Sequence, residues 1–329
     1  MTKAYLSLIL LGNVLLLHIA TAIYCDGAMT DAAGSGASDV VAVRQNDGSI
    51  HSTPFHLQIG RFSSFFSYWF RRPGLSVQIV INGKRGPMDL KVSEMGATCF
   101  ERSSPDHSET WTPSEWDQVE LSSGENNASY RIPSLRIEIS FQVYLYKQED
   151  KLVISDVDGT ITESDLEGQI FSQLGRSVHY FDVIPLFKAI RMRGYKIIYL
   201  TARSIAQDET TRYYLFNKLG LLGLPKGPLL MSPKPAAETL YESTVGTPRY
   251  TKASNLNDLL NLFNNKDNVV KGAYGNVQSD SEAYQDVGIS KSLIYLIEYG
   301  NLRREDRTDE VSSYHNEIRK LDETYPKLG

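Results

Sequence analysis

The chain has 329 residues, 41% of them hydrophobic and 22% charged, which suffices for two domains with real cores and excludes a disordered or low-complexity class. A net charge of −5 excludes a generally nucleic-acid-binding protein, so attraction to an anionic surface has to come from a local basic patch. With only Cys25 and Cys99, neither a disulfide framework nor a zinc site is available.

Residues 1–24 are a hydrophobic segment. Ala4–Ile23 is about as long as a bilayer-spanning helix needs, although Ser7, Gly12, Asn13, His18 and Thr21 interrupt it. Lys3 and the Ala20-Thr21-Ala22 triplet also suit a secretory signal. The segment therefore reads as an uncleaved anchor or interfacial helix, as a cleaved signal, or as a buried helix. Residues 25–150 carry period-2 runs at 39–44, 54–59, 76–81, 134–141 and 142–146, separated by Asn-Asp-Gly, Asn-Gly and Ser-Gly turns, and predict a β-sandwich. Within them Phe62–Arg72 sets six aromatic residues beside two arginines. That composition suits a bilayer interface through Phe65, Trp69 and Arg71, and equally a sandwich strand with aromatics in its core. Polar residues 101–127 predict a connecting loop.

From Lys151 onward, apolar strand-like runs alternate with helical ones, which calls for a parallel α/β sheet with helices on both faces. Leu152-Val-Ile-Ser155 runs into Asp156-Val-Asp158-Gly159-Thr160. Two carboxylates two residues apart, at the end of a buried strand, suit a nucleophile (Asp156) beside a general acid/base (Asp158) in phosphoryl transfer. Gly159 permits the tight turn, and the Thr160 hydroxyl can fix a carboxylate or a phosphate oxygen. A solvated Asp-rich loop is the bland alternative. A second strand, Tyr195–Leu200, ends in Thr201-Ala-Arg203, which offers a hydroxyl and a guanidinium for phosphate. A third, Val269–Tyr274, is followed by Asn276 and Asp280, hard oxygen ligands of the kind magnesium prefers. Lys252 heads an amphipathic helix and can bridge nucleophile and phosphate. Ligands of open α/β sheets bind at these strand ends. Residues 303–329 read as a charged tail, either a peripheral helix or disordered.

This ordered set resembles the haloacid dehalogenase superfamily. The runs Ile154–Asp165, Tyr199–Ile205, Thr211–Leu215, Leu224–Ser232 and Ala273–Asn276 are similar to the catalytic block of the lipins, magnesium-dependent phosphatidate phosphatases. Ser35–Gln45, Ser52–His56 and Val80–Gly83 resemble the lipin amino-terminal block, so the likeness covers about residues 30–300. It implies an immunoglobulin-like sandwich over 25–150, a haloacid dehalogenase-like domain over 151–302, and a minimal form without the long linker of larger members. It further implies Asp156 as nucleophile, Asp158 as acid/base, Thr201 as phosphate-binding hydroxyl and Lys252 as positioning cation. Thr160, Gly159 and Arg203 would line the substrate, and Mg2+ would rest on Asp156, the Asp158 carbonyl, and Asn276 or Asp280. Where the family carries W-T-H-x-G, this chain has Val178-His-Tyr-Phe-Asp182, which removes the basis for a catalytic role of His179. The expected substrate is phosphatidate in a membrane, with no nucleic acid as partner and the endoplasmic reticulum as the expected location. The alternatives are a non-catalytic phosphatidate sensor and a phosphatase for a soluble phosphomonoester or phosphoprotein. Substituting Phe65, Trp69 and Arg71 together should weaken liposome binding while sparing turnover of a soluble substrate; unchanged liposome flotation would remove the interfacial reading.

Overall fold

The computed structural model describes residues 35–59, 75–92, 98–101, 109–161, 183–234, 248–298, 301–307 and 310–328. The apolar segment 1–24, the residues Phe65, Trp69 and Arg71, and His179 lie outside these. No described helix is long and apolar enough to cross a membrane.

Val40–Val43 is apolar at four successive positions, so as a strand it has to bury both faces, and it does. The amino-terminal block contributes β1 (Gly36–Ala37), β2 (Val40–Arg44), β3 (Ile50–Ser52), β4 (Leu57–Gln58), β5 (Ser76–Ile81), β6 (Lys84–Arg85), β7 (Leu90–Val92) and β8 (Thr98–Cys99). Two long strands, β9 (Gly124–Ile132) and β10 (Ile137–Lys147), complete it. The runs expected separately at 134–141 and 142–146 form the single strand β10, entered through a turn in which Arg136 adopts φ 54°. β10 lies parallel to β2, with Val143 opposite Val40, and antiparallel to β9. Pairing follows one path, β3-β2-β10-β9-β5-β7-β8, with β6 beside β5. Among the described residues these strands are joined through β5, whose first two residues pair with β7 and whose last four pair with β9, so no break in hydrogen bonding marks off the two sheets of the expected sandwich. The polar stretch 101–127 is also more than a loop. Trp111 and Trp116 are buried against Phe55, with ring centroids 4.9 and 5.8 Å away, and β9 already begins at Gly124.

One face of this sheet, with Ala42, Ile79, Tyr130 and Phe141, holds its own core. The other face presents Val41, Val43, Tyr144 and Tyr146, which share a core with Ile198 and Leu200 of the second sheet and with Leu256 and Leu259 of a helix that covers it. The boundary expected at residue 150 thus crosses continuous packing.

The second sheet runs β13 (Leu229–Ser232), β12 (Lys196–Ser204), β11 (Leu152–Asp156), β14 (Val270–Gly275), β15 (Ile294–Glu298), β16 (Asn301–Arg304) and β17 (Val311–Ser313). The first five are parallel and the last two antiparallel. Their near-continuous apolar runs demand cover on both faces. One face takes α1 (Val183–Met192) and α2 (Asp208–Arg212, continued as a π-turn over Tyr213–Leu219). The other takes α3 (Pro248–Leu260) and α4 (Gln278–Asp286). Pro185 lies in the first turn of α1, and Gly194 at φ 100° turns the chain after it.

The expected charged tail is instead part of the core. β16, β17, α5 (Tyr314–Arg319) and α6 (Leu321–Thr324) extend and cover the sheet, and a boundary at 302 would cut β16. Tyr314, Leu321 and Tyr325 form a buried stripe among the charges, which composition alone conceals. The Tyr325 hydroxyl lies 2.8 Å from that of Tyr274.

Glu109 sits where the two blocks meet; its carbonyl accepts from the Phe55 amide at 2.8 Å. Burial, reinforced by Asp258 on α3, pushes its carboxyl up to about 7. A folded-state value above the unfolded 4.5 gives stability that is full below pH 4.5 and lost as the pH rises through 7. Glu109→Gln should therefore match the wild-type melting curve at pH 4 and exceed it at pH 8, by at most about 3 kcal/mol. Parallel curves at both pH values would contradict this.

Candidate active site

Parallel strands end on one edge, and β11, β12 and β14 deliver their last residues there together. Asp156 is the final residue of β11 and is fully buried. The Lys252 ammonium, on the second turn of α3, donates to Asp156 Oδ1 at 2.6 Å and to Asp280 Oδ1 at 2.5 Å. Thr160 Oγ1 donates to Asp156 Oδ2 at 3.2 Å. Asp280 opens α4, and its Oδ2 accepts the backbone amides of Asn276 and Val277 at 3.0 and 3.2 Å. Burial pushes the Asp156 carboxyl up, an effect that Lys252 opposes and that Asp280 and Asp158 reinforce.

Asp158 turns away from Lys252 towards β12. Thr201 Oγ1 donates to its Oδ2 at 2.9 Å, and the Arg203 guanidinium grips both oxygens, with Nη2 to Oδ1 at 2.5 Å and Nε to Oδ2 at 3.0 Å. Thr201 and Arg203, expected on phosphate, here both hold this carboxylate. Arg203 is itself steadied by a bond from Nη1 to Thr211 Oγ1 at 3.1 Å. Thr211 opens the lipin-like run Thr211–Leu215, but no sequence signal assigns its hydroxyl a role.

Gly159 adopts φ 73°, and a Cβ there would lie 1.9 Å from Asn276 Nδ2, so only glycine allows this approach. One end of the Asn276 amide lies 2.8 Å from the Asp158 carbonyl oxygen and 3.3 Å from Asp280 Oδ2. With nitrogen turned inward it donates two hydrogen bonds. With oxygen turned inward three oxygens converge without a proton between them, an arrangement that a cation relieves. Neighbouring oxygens around a six-coordinate magnesium ion lie about 3 Å apart, close to these separations. Charge agrees, since buried Asp156 and Asp280 face the one ammonium of Lys252. Among the described residues no three His, Cys, Asp or Glu side chains form a metal cluster, so a cation here has to draw on the amide and a carbonyl, which suits magnesium and not zinc.

A parallel sheet covered by helices, with paired aspartates at its central strand end and a lysine and an Asn/Asp pair on neighbouring elements, defines an α/β domain of the haloacid dehalogenase type. The model LNS2 (Lipin/Ned1/Smp2) matches residues 108–326, and the lipin N-terminal conserved region matches residues 18–118. The chain belongs to the lipin family. It is 36% identical over 191 residues to Phosphatidate phosphatase LPIN2 of Homo sapiens, which covers 57% of this chain and 21% of that protein. It is 32% identical over 215 residues to a phosphatidate phosphatase of Arabidopsis thaliana (63% of this chain, 24% of the relative). With Phosphatidic acid phosphohydrolase 1 of Saccharomyces cerevisiae it shares 33% identity over 191 residues (54% and 22%). The chain thus spans well under two thirds of the length of these relatives.

Gly159→Ala should destabilise the fold by about 1–3 kcal/mol through its left-handed backbone and displace Asn276. In thermal melts with and without millimolar Mg2+, any stabilisation by the ion in the wild type should be absent from this variant. An undiminished Mg2+ shift would show that Asn276 does not serve the cation.

Proposed function

We propose that the protein is a magnesium-dependent phosphatidate phosphatase, converting phosphatidate and water to diacylglycerol and inorganic phosphate through a phosphorylated Asp156. The observation that carries this reading is the position of Asp156, with Lys252 on one carboxylate oxygen and Thr160 on the other at the end of β11. The family relatives, phosphatidate phosphatases and a phosphatidic acid phosphohydrolase by name, support the substrate.

Asp156 attacks phosphorus while the glycerol oxygen departs. Asp158 gives that oxygen a proton, then takes one from the water that clears the aspartyl-phosphate. The Thr201 hydroxyl and the Arg203 guanidinium now on Asp158 are the groups a phosphate dianion competes for. As it draws them over, Asp158 is released to take up its proton. Lys252 holds Asp156 in line and opposes the upward push that burial gives its carboxyl. Mg2+ would rest on Asp156, the Asp158 carbonyl and Asn276, and when bound it offsets charge on the phosphoryl oxygens. Asp280, whose oxygens accept Lys252 and two backbone amides, also orients Lys252 and the Asn276 turn. The presence of Thr160 and Asn276 favours catalysis over a sensor role. The amino-terminal sheet serves as this family's immunoglobulin-like module, on the strength of its strand alternation. Because phosphatidate resides in bilayers, the protein works at a membrane surface, with the endoplasmic reticulum as the expected location.

Phosphate release from phosphatidate in mixed micelles tests the reading. It should require Mg2+ and fall by roughly 10³-fold or more in Asp156→Asn and Asp158→Asn, with both variants folded. Micelle binding without release would make the protein a sensor. Release only from a soluble phosphomonoester would remove the lipid.

A further inference from the structure

Asp39 is the last polar residue before β2, and its side chain is wholly buried. Each of its carboxylate oxygens does two jobs. Oδ1 accepts the Gln142 amide of β10 at 2.8 Å and lies 2.9 Å from Arg212 Nη2. Oδ2 accepts the Leu229 amide of β13 at 2.8 Å and Arg212 Nη1 at 3.0 Å. The rest of the Arg212 guanidinium is also committed, with Nε on Asp208 and Nη2 on the Ala37 carbonyl at 3.0 Å. Asp208 in turn accepts the Ala37 amide at 3.1 Å. One aspartate from the amino-terminal block therefore ties the first sheet, the edge of the second and helix α2 together.

What α2 carries makes this more than adhesion. Thr211, next to Arg212, accepts Arg203 Nη1 at 3.1 Å and donates to the Gln207 carbonyl at 2.8 Å. Arg203 then grips Asp158. β1 presses on the same turn, since a Cβ on Gly36 would lie 2.0 Å from the Ile205 carbonyl oxygen. A guanidinium fork bound on every edge fixes how α2 is rotated, and that rotation decides where the Thr211 hydroxyl stands. An apolar pair of equal volume would bury as well without fixing this angle.

We infer that Asp39 is a positioning residue for Asp158, acting through Arg212, Thr211 and Arg203. The inference rests on the reading of Asp158 as the acid/base. It gives the amino-terminal block a part in the chemistry besides packing.

The test compares Asp39→Asn, Thr211→Val and the double variant in the full chain. Asp39→Asn keeps the shape and an oxygen for a backbone amide but loses the charge that grips Arg212. With phosphatidate in mixed micelles and Mg2+, Asp39→Asn should lower kcat about 10–100-fold with KM within about twofold, and should cost less than about threefold more in the Thr211→Val background. Hydrogen exchange should quicken over residues 203–214 in Asp39→Asn and not along β14, a readout that stands even if phosphatidate proves not to be the substrate. Full kcat in the folded variant, losses that simply multiply in the double variant, or unchanged exchange over 203–214 would overturn the inference. If Asp39→Asn does not fold, Arg212→Lys, which keeps the charge and loses the fork, carries the same expectations.

Discussion

One ammonium stands between two buried carboxylates, and the site is organised around that contact. Lys252 bonds Asp156 at 2.6 Å and Asp280 at 2.5 Å, and all three are shielded from water. Without Lys252 two like carboxylates would share a low-dielectric pocket with no counter-charge, and burial would push the Asp156 carboxyl up further. With it, α3, α4 and β11 are pinned to one another at the strand edge, and a single negative charge remains for a divalent cation to meet. On the proposed reading, function and local stability depend on the same three side chains.

That arrangement needs a rigid frame, and two cores supply it. α1, α2 and the carboxy-terminal segment close one face of the parallel sheet. α3 and α4 close the other, together with Val41, Val43, Tyr144 and Tyr146 from the first sheet. The helix that bears Lys252 is therefore packed by both blocks. Fully buried contacts of this kind contribute about 1.5–3 kcal/mol for each large apolar side chain, so separating the blocks would loosen α3.

The parallel strands were readable because an apolar run ending in polar residues is a local signal. Leu152–Asp156 and Val270–Gly275 follow the expected limits within a residue or two. The approach of Asp156, Thr160, Asn276 and Asp280 was readable too, since each lies at or beside a strand end, whereas Lys252, on the second turn of α3, was placed by the family resemblance. The direction of Asp158 was not. Two residues two apart do point the same way along an ideal strand, but β11 stops at Asp156, and Asp158 falls in the turn, where Arg203 draws its carboxylate aside. Arg203 faces that way because Thr211 holds it, a contact set by helix rotation and invisible to spacing. Asp39 looked like the polar edge of an apolar strand, and Tyr325 like one aromatic in a charged tail. Both are buried by partners distant in sequence.

The parallel pairing of β2 with β10 also bears on how the chain is made. Val40 has to wait for Val143, so β2, paired on one side with β3, leaves the ribosome about a hundred residues before its other neighbour exists. During that interval a strand with two apolar faces and an open edge is exposed, which favours mispairing with other nascent chains. Assembly of the first sheet is therefore a late, long-range event.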